Sequence, residues 1–381
     1  MQALTFDTSD GWQQSKGFRK REVATPTLVE PADAEAAIVK VRFAGVCGSD
    51  RGIWFRESFQ DMILGSLTRE GKTTRIIGHE FFGEIVSAGS LVQEKYGLHV
   101  GDTVSAESHV TCGRCFQCHN GELNVCTEEK ILGISFDGCF AEYVKVPAKV
   151  LWLTDVSKIR PEIAAMQEPF GNAVHACTKV DLRGKRVAIF GCGPIGLFSI
   201  LVARSMGASM IIGVDPNKEH ADLAKALGAD LMIDIPKGEK QNAWEQERAV
   251  VKAIQEATHG IGVDVAMEMA GYNSSVNTAV QSVRRGGDVI LFGLKSGDFT
   301  IEQFDRLIVR GVTLHSVIGR QIFKTWYITK SLLEDASNKI QEKLWTLLLK
   351  EGRDTIIPFA NYDPTVFEEH LLTHPKILIR F

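Results

Sequence analysis

The sequence predicts an α/β protein of two domains: a β-rich, barrel-like unit, then a doubly wound unit built on a parallel sheet. Three observations carry this. Residues 1 to about 160 hold short strand-like runs with frequent glycine and no long helical pattern. From about residue 186, apolar strands alternate with helical segments. At 381 residues, the chain is long enough for about two domains, each with its own core.

In chain order, the start "MQALTFDTSDGW" has neither a basic n-region nor an apolar h-region, which predicts a cytoplasmic protein. The strand runs of the first texture are "AAIVKVRFAG", "GHEFFGEIVSAG", "GDTVSAESHV" and "CFAEYVKVPAKVL". Between Cys47 and His79 lies a long segment that reads as a loop and carries Arg51, Arg56, Arg69 and Arg75. The second texture supplies six strands, "RVAIF", "MIIGVD", "LMIDI", "VDVAMEM", "GDVILFG" and "TLHSVI", the number a doubly wound sheet requires. The cluster at 236 to 248 predicts the opening of an amphipathic helix that buries Trp244, Val251 and Ile254. After about 320, "FKTWYITKSLLEDASNKIQEKLWTLLL" reads as helix. The tail "KILIRF" reads as a strand with no parallel partner nearby, returning to the first unit. The first domain is therefore expected to be discontinuous, 1–165 with 320–381, around a second domain at 166–319.

Charge excludes some partners. Lys and Arg number 43 against 47 Asp and Glu, a net −4, so there is no broad basic footprint for nucleic acid or an anionic membrane. The longest apolar stretch, 187 to 203, is broken by glycines and a proline and reads as strand, turn and helix rather than a membrane span. A small-molecule partner is expected.

Cysteine spacing carries the first chemistry. "TCGRCFQCHNGELNVC" places Cys112, Cys115 and Cys118 at intervals of three and Cys126 after seven intervening residues. A chain of this size without a secretory signal has no need of a disulfide framework, so these read as thiols around one tetrahedral ion. Four thiolates leave no open coordination position, so zinc bound there holds shape and catalyses nothing. A second set differs. "GVCGSD" supplies Cys47, "IIGHEFFGE" supplies His79 and Glu80, and "MQEPFGNAVHA" supplies Glu168. Alone, each has an ordinary reading as a core thiol, turn histidine or helix-start acid. Together, a thiolate, an imidazole and a carboxylate leave zinc an open position for a substrate oxygen.

The nucleotide signal opens the second texture. "RVAIFGCGPIGLFSILVARSMGA" is strand, then Gly191, Gly193, Pro194, Ile195 and Gly196 in a GxGxxG turn, then helix, which suits a pyrophosphate at a helix N-terminus. Asp215 ends the next strand, nineteen residues after Gly196, where a carboxylate accepts ribose hydroxyls and repels a 2′-phosphate, so NAD is favoured over NADP. No arginine follows Asp215 closely; Lys218 and His220 stand there instead.

With these motifs in one order, the chain resembles the zinc-containing medium-chain dehydrogenases over nearly its full length. "ESHVTCGRC", "GCFAEY", "EPFGNAVHA", "DVAMEMAG" and "GRQIFKTWY" are similar to segments of the threonine dehydrogenases among them. The resemblance implies a GroES-like catalytic domain, a Rossmann NAD-binding domain, and two zinc ions per chain, one catalytic and one structural. It also implies a homo-oligomer, tetramer or dimer. Cys47, His79, Glu80 and Glu168 match the catalytic-zinc positions. Cys112, Cys115, Cys118 and Cys126 match the structural site, while Ile195, Asp215, Phe292, Gly293, Leu294, Val317 and Ile318 match positions lining the NAD site. His109 matches a substrate contact.

The implied reaction oxidises a secondary hydroxyl to a ketone, with hydride passing to nicotinamide and Ser49 carrying the proton. The expected substrate is L-threonine or a similar 2-amino-3-hydroxy acid; the alternative is a polyol, cyclitol or sugar. A protein that bound zinc and NAD without turnover would be expected to lose zinc ligands, and this chain keeps them. Two departures mark the chain. The family pairs the hydroxyl residue two after the zinc cysteine with a histidine five after it; Ser49 is present, but position 52 is glycine. The segment after Cys47 is long, and its Arg51 and Arg56, flanking Trp54 and Phe55, are candidates for a clamp on a substrate carboxylate, against the ordinary reading of loop arginines as solvated charges.

Overall fold

A computed structural model describes residues 1–235, 242–294 and 297–381. The chain divides into two compact units, Met1–Pro169 with Leu344–Phe381, and Phe170–Lys343.

In the first unit, strand Ala36–Gly45 is the hub. It pairs antiparallel with Glu80–Ala88, Tyr143–Pro147 and Leu378–Arg380, and Glu80–Ala88 continues the sheet to Thr103–Ala106 and Leu151–Leu153. The alternation in "AAIVKVRFAG" explains the hub: Ala37, Val39, Val41 and Ala44 turn into a core shared with Phe81, Ile85, Val104 and Val146. The tail strand does return to this unit, as expected. It also has a parallel neighbour that the sequence reading missed: Leu378–Arg380 pairs in parallel with Ile356–Pro358, a strand too short and too proline-bound to register as a periodic run.

The segment after Cys47 is not a loop. It forms helices Gly48–Trp54 and Gln60–Glu70, because Ile53, Trp54, Ile63 and Leu67 fall on faces that pack into the core, and Gly71 at φ +64° closes the second helix.

The second unit holds the six predicted strands in one parallel sheet. Their order is Leu231–Ile233, Met210–Val214, Arg186–Phe190, Val263–Glu268, Val283–Leu291 and Thr313–Ser316. The chain thus starts in the middle of the sheet, runs outward, and then crosses to the other side. Two neighbouring strands therefore have crossovers leading opposite ways, which opens a crevice at their carboxyl ends.

Residues 320–343, expected with the first domain, cluster with the second. Arg320 donates to Asn172 Oδ1 at 2.9 Å and Lys343 Nζ to the Leu227 carbonyl at 2.8 Å. The helical run itself is broken, as Lys324–Glu334 and then Ile340–Lys343. Of the helix expected from 236, residues 236–241 lie outside the described residues. The described helix is Arg248–Ala257, with Val251 and Ile254 buried and Trp244 half-buried before it. Among the described residues no helix is long and apolar enough to cross a membrane.

Candidate active site

The site in the first unit is assembled around the start of strand Glu80–Ala88. His79 follows Gly78, whose φ of +92° favours glycine and whose Cβ, if present, would meet the Phe140 ring at 2.2 Å. That turn brings His79 and Glu80 to Cys47, which caps the start of helix Gly48–Trp54. One ligand atom from each of Cys47, His79 and Glu80 lies within 4.8 Å of the others. Ser49 Oγ is 3.3 Å from His79 Nε2.

On the other side of the ring, Asp50, fully buried, has Oδ1 3.5 Å from Nδ1, while its Oδ2 accepts the Cys47 amide at 2.9 Å. A carboxylate behind the ring fixes which nitrogen faces a metal. Sequence reading missed Asp50, although an acid three residues after a helix-capping position is a legible signal. Burial works against a charged His79, yet Asp50 and Cys47 hold its pKa well above the ordinary value. The site is thus built to receive positive charge. Glu80 Oε1 is a buried atom with no hydrogen-bond partner. A soft thiolate, an imidazole and a carboxylate with unspent capacity fit a zinc ion.

Glu80 has a partner that was not foreseen. Its Oε2 pairs with the Lys376 ammonium, which also donates to the Val46 carbonyl at 3.0 Å; both side chains are buried. Burial pushes the Glu80 carboxyl up, Lys376 counters it, and Glu168 adds to the rise.

Glu168 itself groups with Glu107 and His109 rather than with the Cys47 set. Ser108 Oγ donates to Glu168 Oε1 at 2.6 Å, and His109 Nδ1 stands 3.1 Å from Glu107 Oε1. Glu107, fully buried, also accepts the His109 amide at 3.0 Å. Glu107 was another residue the sequence reading did not single out.

The arginine clamp is overturned for Arg56. Its guanidinium donates to the carbonyls of Ile53 and Gly17 at 2.6 and 2.8 Å and lies over the Phe6 and Trp12 rings. Those contacts pin the N-terminal segment and leave no fork for a ligand. Trp54 is core, with Nε1 donating to Glu368 at 2.9 Å. Arg75 is buried between Glu70 and Asp137, whereas Arg51 and Arg69 are exposed.

The four lobe cysteines come together as predicted, within 4.8 Å. Cys112 Sγ accepts the amides of Arg114 and Cys115 at 3.4 and 3.3 Å, and Cys126 Sγ accepts that of Cys112 at 3.3 Å. The backbone amides of Cys118 and Thr127 bring the Cys115 thiol down to about 5. Amide donors aimed at sulfur suit thiolate ligands.

In the second unit, strand Arg186–Phe190 ends in Gly191 at φ +91°, and helix Pro194–Ser205 follows with Gly193 as its cap and Pro194 in its first turn. A Cβ on Gly196 would strike the Gly191 carbonyl at 2.0 Å, so this helix packs against the turn only with glycine there. Asp215 ends the neighbouring strand. Its carboxylate accepts the amides of Cys192 at 2.6 Å and Asn217 at 2.8 Å, and His220 Nδ1 lies 3.6 Å away. Burial pushes Asp215 up, but His220 and the two amides outweigh it and keep the carboxyl below its usual range. Phe292 and Gly293 donate their amides to the Glu268 carbonyl, and Val317 to that of Leu291. Val317 is buried, whereas Leu294 and Ile318 are exposed. These expected cofactor positions all follow carboxyl ends of parallel strands, the edge where such sheets bind nucleotides. Glu268, also at this edge, is fully buried and accepts the amides of Ala270 and Gly271 at 3.0 and 2.9 Å; the sequence reading did not single it out.

Comparison with known proteins agrees with this architecture. An alcohol dehydrogenase GroES-like domain model matches residues 33–156 and a zinc-binding dehydrogenase model matches residues 194–335. An L-threonine 3-dehydrogenase of Symbiobacterium thermophilum is 37% identical over 316 residues, 83% of this chain and 83% of that protein. One from Pyrococcus horikoshii is 37% identical over 314 residues, 82% of this chain and 84% of the relative. The structure of the alcohol dehydrogenase TADH from Thermus sp. ATN1 shares the fold at a TM-score of 0.80, covering 100% of this chain and 99% of that one at 24% identity. The chain belongs to the zinc-containing medium-chain dehydrogenases and, within them, resembles the L-threonine 3-dehydrogenases.

Proposed function

We propose that this enzyme oxidises the 3-hydroxyl of L-threonine or a similar 2-amino-3-hydroxy acid with NAD. The observation that carries it is the Cys47, His79 and Glu80 donor set in a chain 37% identical to an L-threonine 3-dehydrogenase. Cys47 and His79 would hold the catalytic zinc, with Glu80 as the carboxylate grouped with them and Glu168 in the neighbouring cluster with Glu107 and His109. When bound, zinc acidifies the substrate hydroxyl and NAD accepts the hydride. The chain's residues do the rest. Asp50 orients the His79 ring, and Ser49 Oγ takes the substrate proton and passes it towards solvent. Asp215 accepts the adenosine ribose hydroxyls, and Gly191, Gly193 and Gly196 let the pyrophosphate approach the backbone. His109, held by Glu107, contacts the substrate.

Cys112, Cys115, Cys118 and Cys126 would hold a second, structural zinc. The lobe's dependence on free thiols supports a cytoplasmic setting. The edge strand Thr313–Ser316, with Leu314 exposed, supports assembly into a homo-oligomer.

One observation favours a polyol or sugar instead: Arg56 is committed to the fold, which leaves Arg51 as the carboxylate clamp among the segment's expected pair. A substrate panel of L-threonine and neutral polyols such as sorbitol, read by absorbance of the reduced cofactor, tests this. Turnover of L-threonine is expected. Turnover of the polyol alone would refute the amino-acid reading.

A further inference from the structure

In the second unit, the amino ends of the parallel strands form a second feature, at the opposite edge of the sheet from the cofactor positions. Gly262 leads into strand Val263–Glu268, and Val283, Arg284 and Arg285 open the next strand. A cavity of about 540 Å³ lies there, lined by Gln281, Arg284, Arg285, Arg306 and Arg310, with Ile261 and Val283 among its apolar wall.

Its charge is not balanced. Arg284 bonds Asp264 at 2.7 Å, but Arg186 takes the same carboxylate at 3.0 Å, so one acid serves two guanidinium groups. Glu302, beside the rim, accepts the Gln246 amide. Arg310 is spent on the fold: it donates to the carbonyls of Val280, Gln281 and Val283, capping the end of helix Asn273–Ser282. Burial lowers the Arg310 pKa, and Arg285 and Arg306 lower it further, so their like charges bear on this guanidinium. Arg285 and Arg306 are exposed and, among the described residues, form no ion pair. Gln281 is only 7% exposed, and its Nε2 is a buried donor with no partner.

We propose that this cavity binds a small phosphate-bearing anion through Arg285, Arg306 and the Gln281 amide. The lining offers two guanidinium groups with no ion pair among the described residues and one amide donor. A carboxylate has two oxygens to meet them, whereas a phosphate has three or more, and guanidinium forks match it bidentately. The volume exceeds one phosphate, and the apolar wall suits the organic part of a phosphorylated metabolite. The site lies away from the cofactor edge, so it is filled independently of NAD and whatever the alcohol substrate is.

The test is calorimetric titration of inorganic pyrophosphate into the zinc-loaded protein saturated with NAD. One site per chain is expected, weakened about tenfold or more in Arg285→Ala/Arg306→Ala, as loss of charged hydrogen bonds requires. The control Arg183→Ala, which removes an exposed arginine paired with Asp181, should bind like the parent. Both target side chains are exposed, so melting curves should match the parent's. Absence of binding, loss of binding on NAD saturation, equal weakening in the control, or tighter binding of citrate than of pyrophosphate would each overturn the proposal.

Discussion

Asp50 Oδ1 lies 3.5 Å from His79 Nδ1 while its Oδ2 accepts the amide of Cys47 at 2.9 Å, so one buried carboxylate contacts both proposed zinc ligands. Asp50→Asn keeps the shape but weakens the hold on the ring. Zinc affinity at this site should fall by about 10- to 100-fold, with activity lost in proportion. Competition with a chromogenic chelator measures the affinity; unchanged zinc retention would show that Asp50 does not orient the ligand.

Lys376 and Glu80 form a buried pair separated by 296 residues in sequence. Lys376→Met leaves the Glu80 charge uncompensated and should cost roughly 3–5 kcal/mol of stability. Adding Glu80→Gln removes the orphaned charge and should recover most of that loss. Denaturant unfolding of the two variants decides it: no recovery in the double variant would mean that the lysine acts through packing alone.

In the proposed reading, cofactor choice rests on Asp215. Asp215→Ala should weaken NAD binding and relax discrimination against NADP, since the carboxylate accepts ribose hydroxyls and repels a phosphate. Fluorescence titration with the two reduced cofactors reads the ratio. A parent protein that prefers NADP would remove this role.

Asp264 ties the start of strand Arg186–Phe190 to strand Val263–Glu268 by accepting from Arg186 and Arg284. Burial pushes its carboxyl up, but the two arginines outweigh that and hold it well below the usual carboxylate range. A depressed folded pKa means the stabilisation is complete above the unfolded value, about 3.9, and is lost as pH falls towards the folded one. Asp264→Asn should therefore melt lower than the parent by a constant margin between about pH 5 and 7, with the gap closing below about pH 4. A margin that widens in acid would reverse the sign assigned here.

What the sequence made legible was local. The six parallel strands stand out because each is an apolar run bounded by turn residues, and the helical segments between them make the sheet parallel; their order in the sheet came from the structure. The cysteine lobe and the GCGPIG turn are short in sequence, so spacing alone describes them. Lys376 could not be read in this way: a lysine heading an apolar strand carries no local sign that a carboxylate 296 residues away will neutralise it. Glu107 was hidden beside His109, which drew attention as the more reactive side chain. The two helices after Cys47 were obscured by their arginines, although Ile53, Trp54, Ile63 and Leu67 carried the helical pattern.

The most direct test of the whole account is the rate of NAD reduction with L-threonine, measured before zinc removal by a chelator, after removal, and after zinc is restored. The account predicts turnover in the native protein, loss with the metal, and recovery on return of about two zinc ions per chain, one for each tetrahedral site. Undiminished turnover after complete zinc removal would contradict it, and so would a fully loaded protein that reduces no NAD with any secondary alcohol offered.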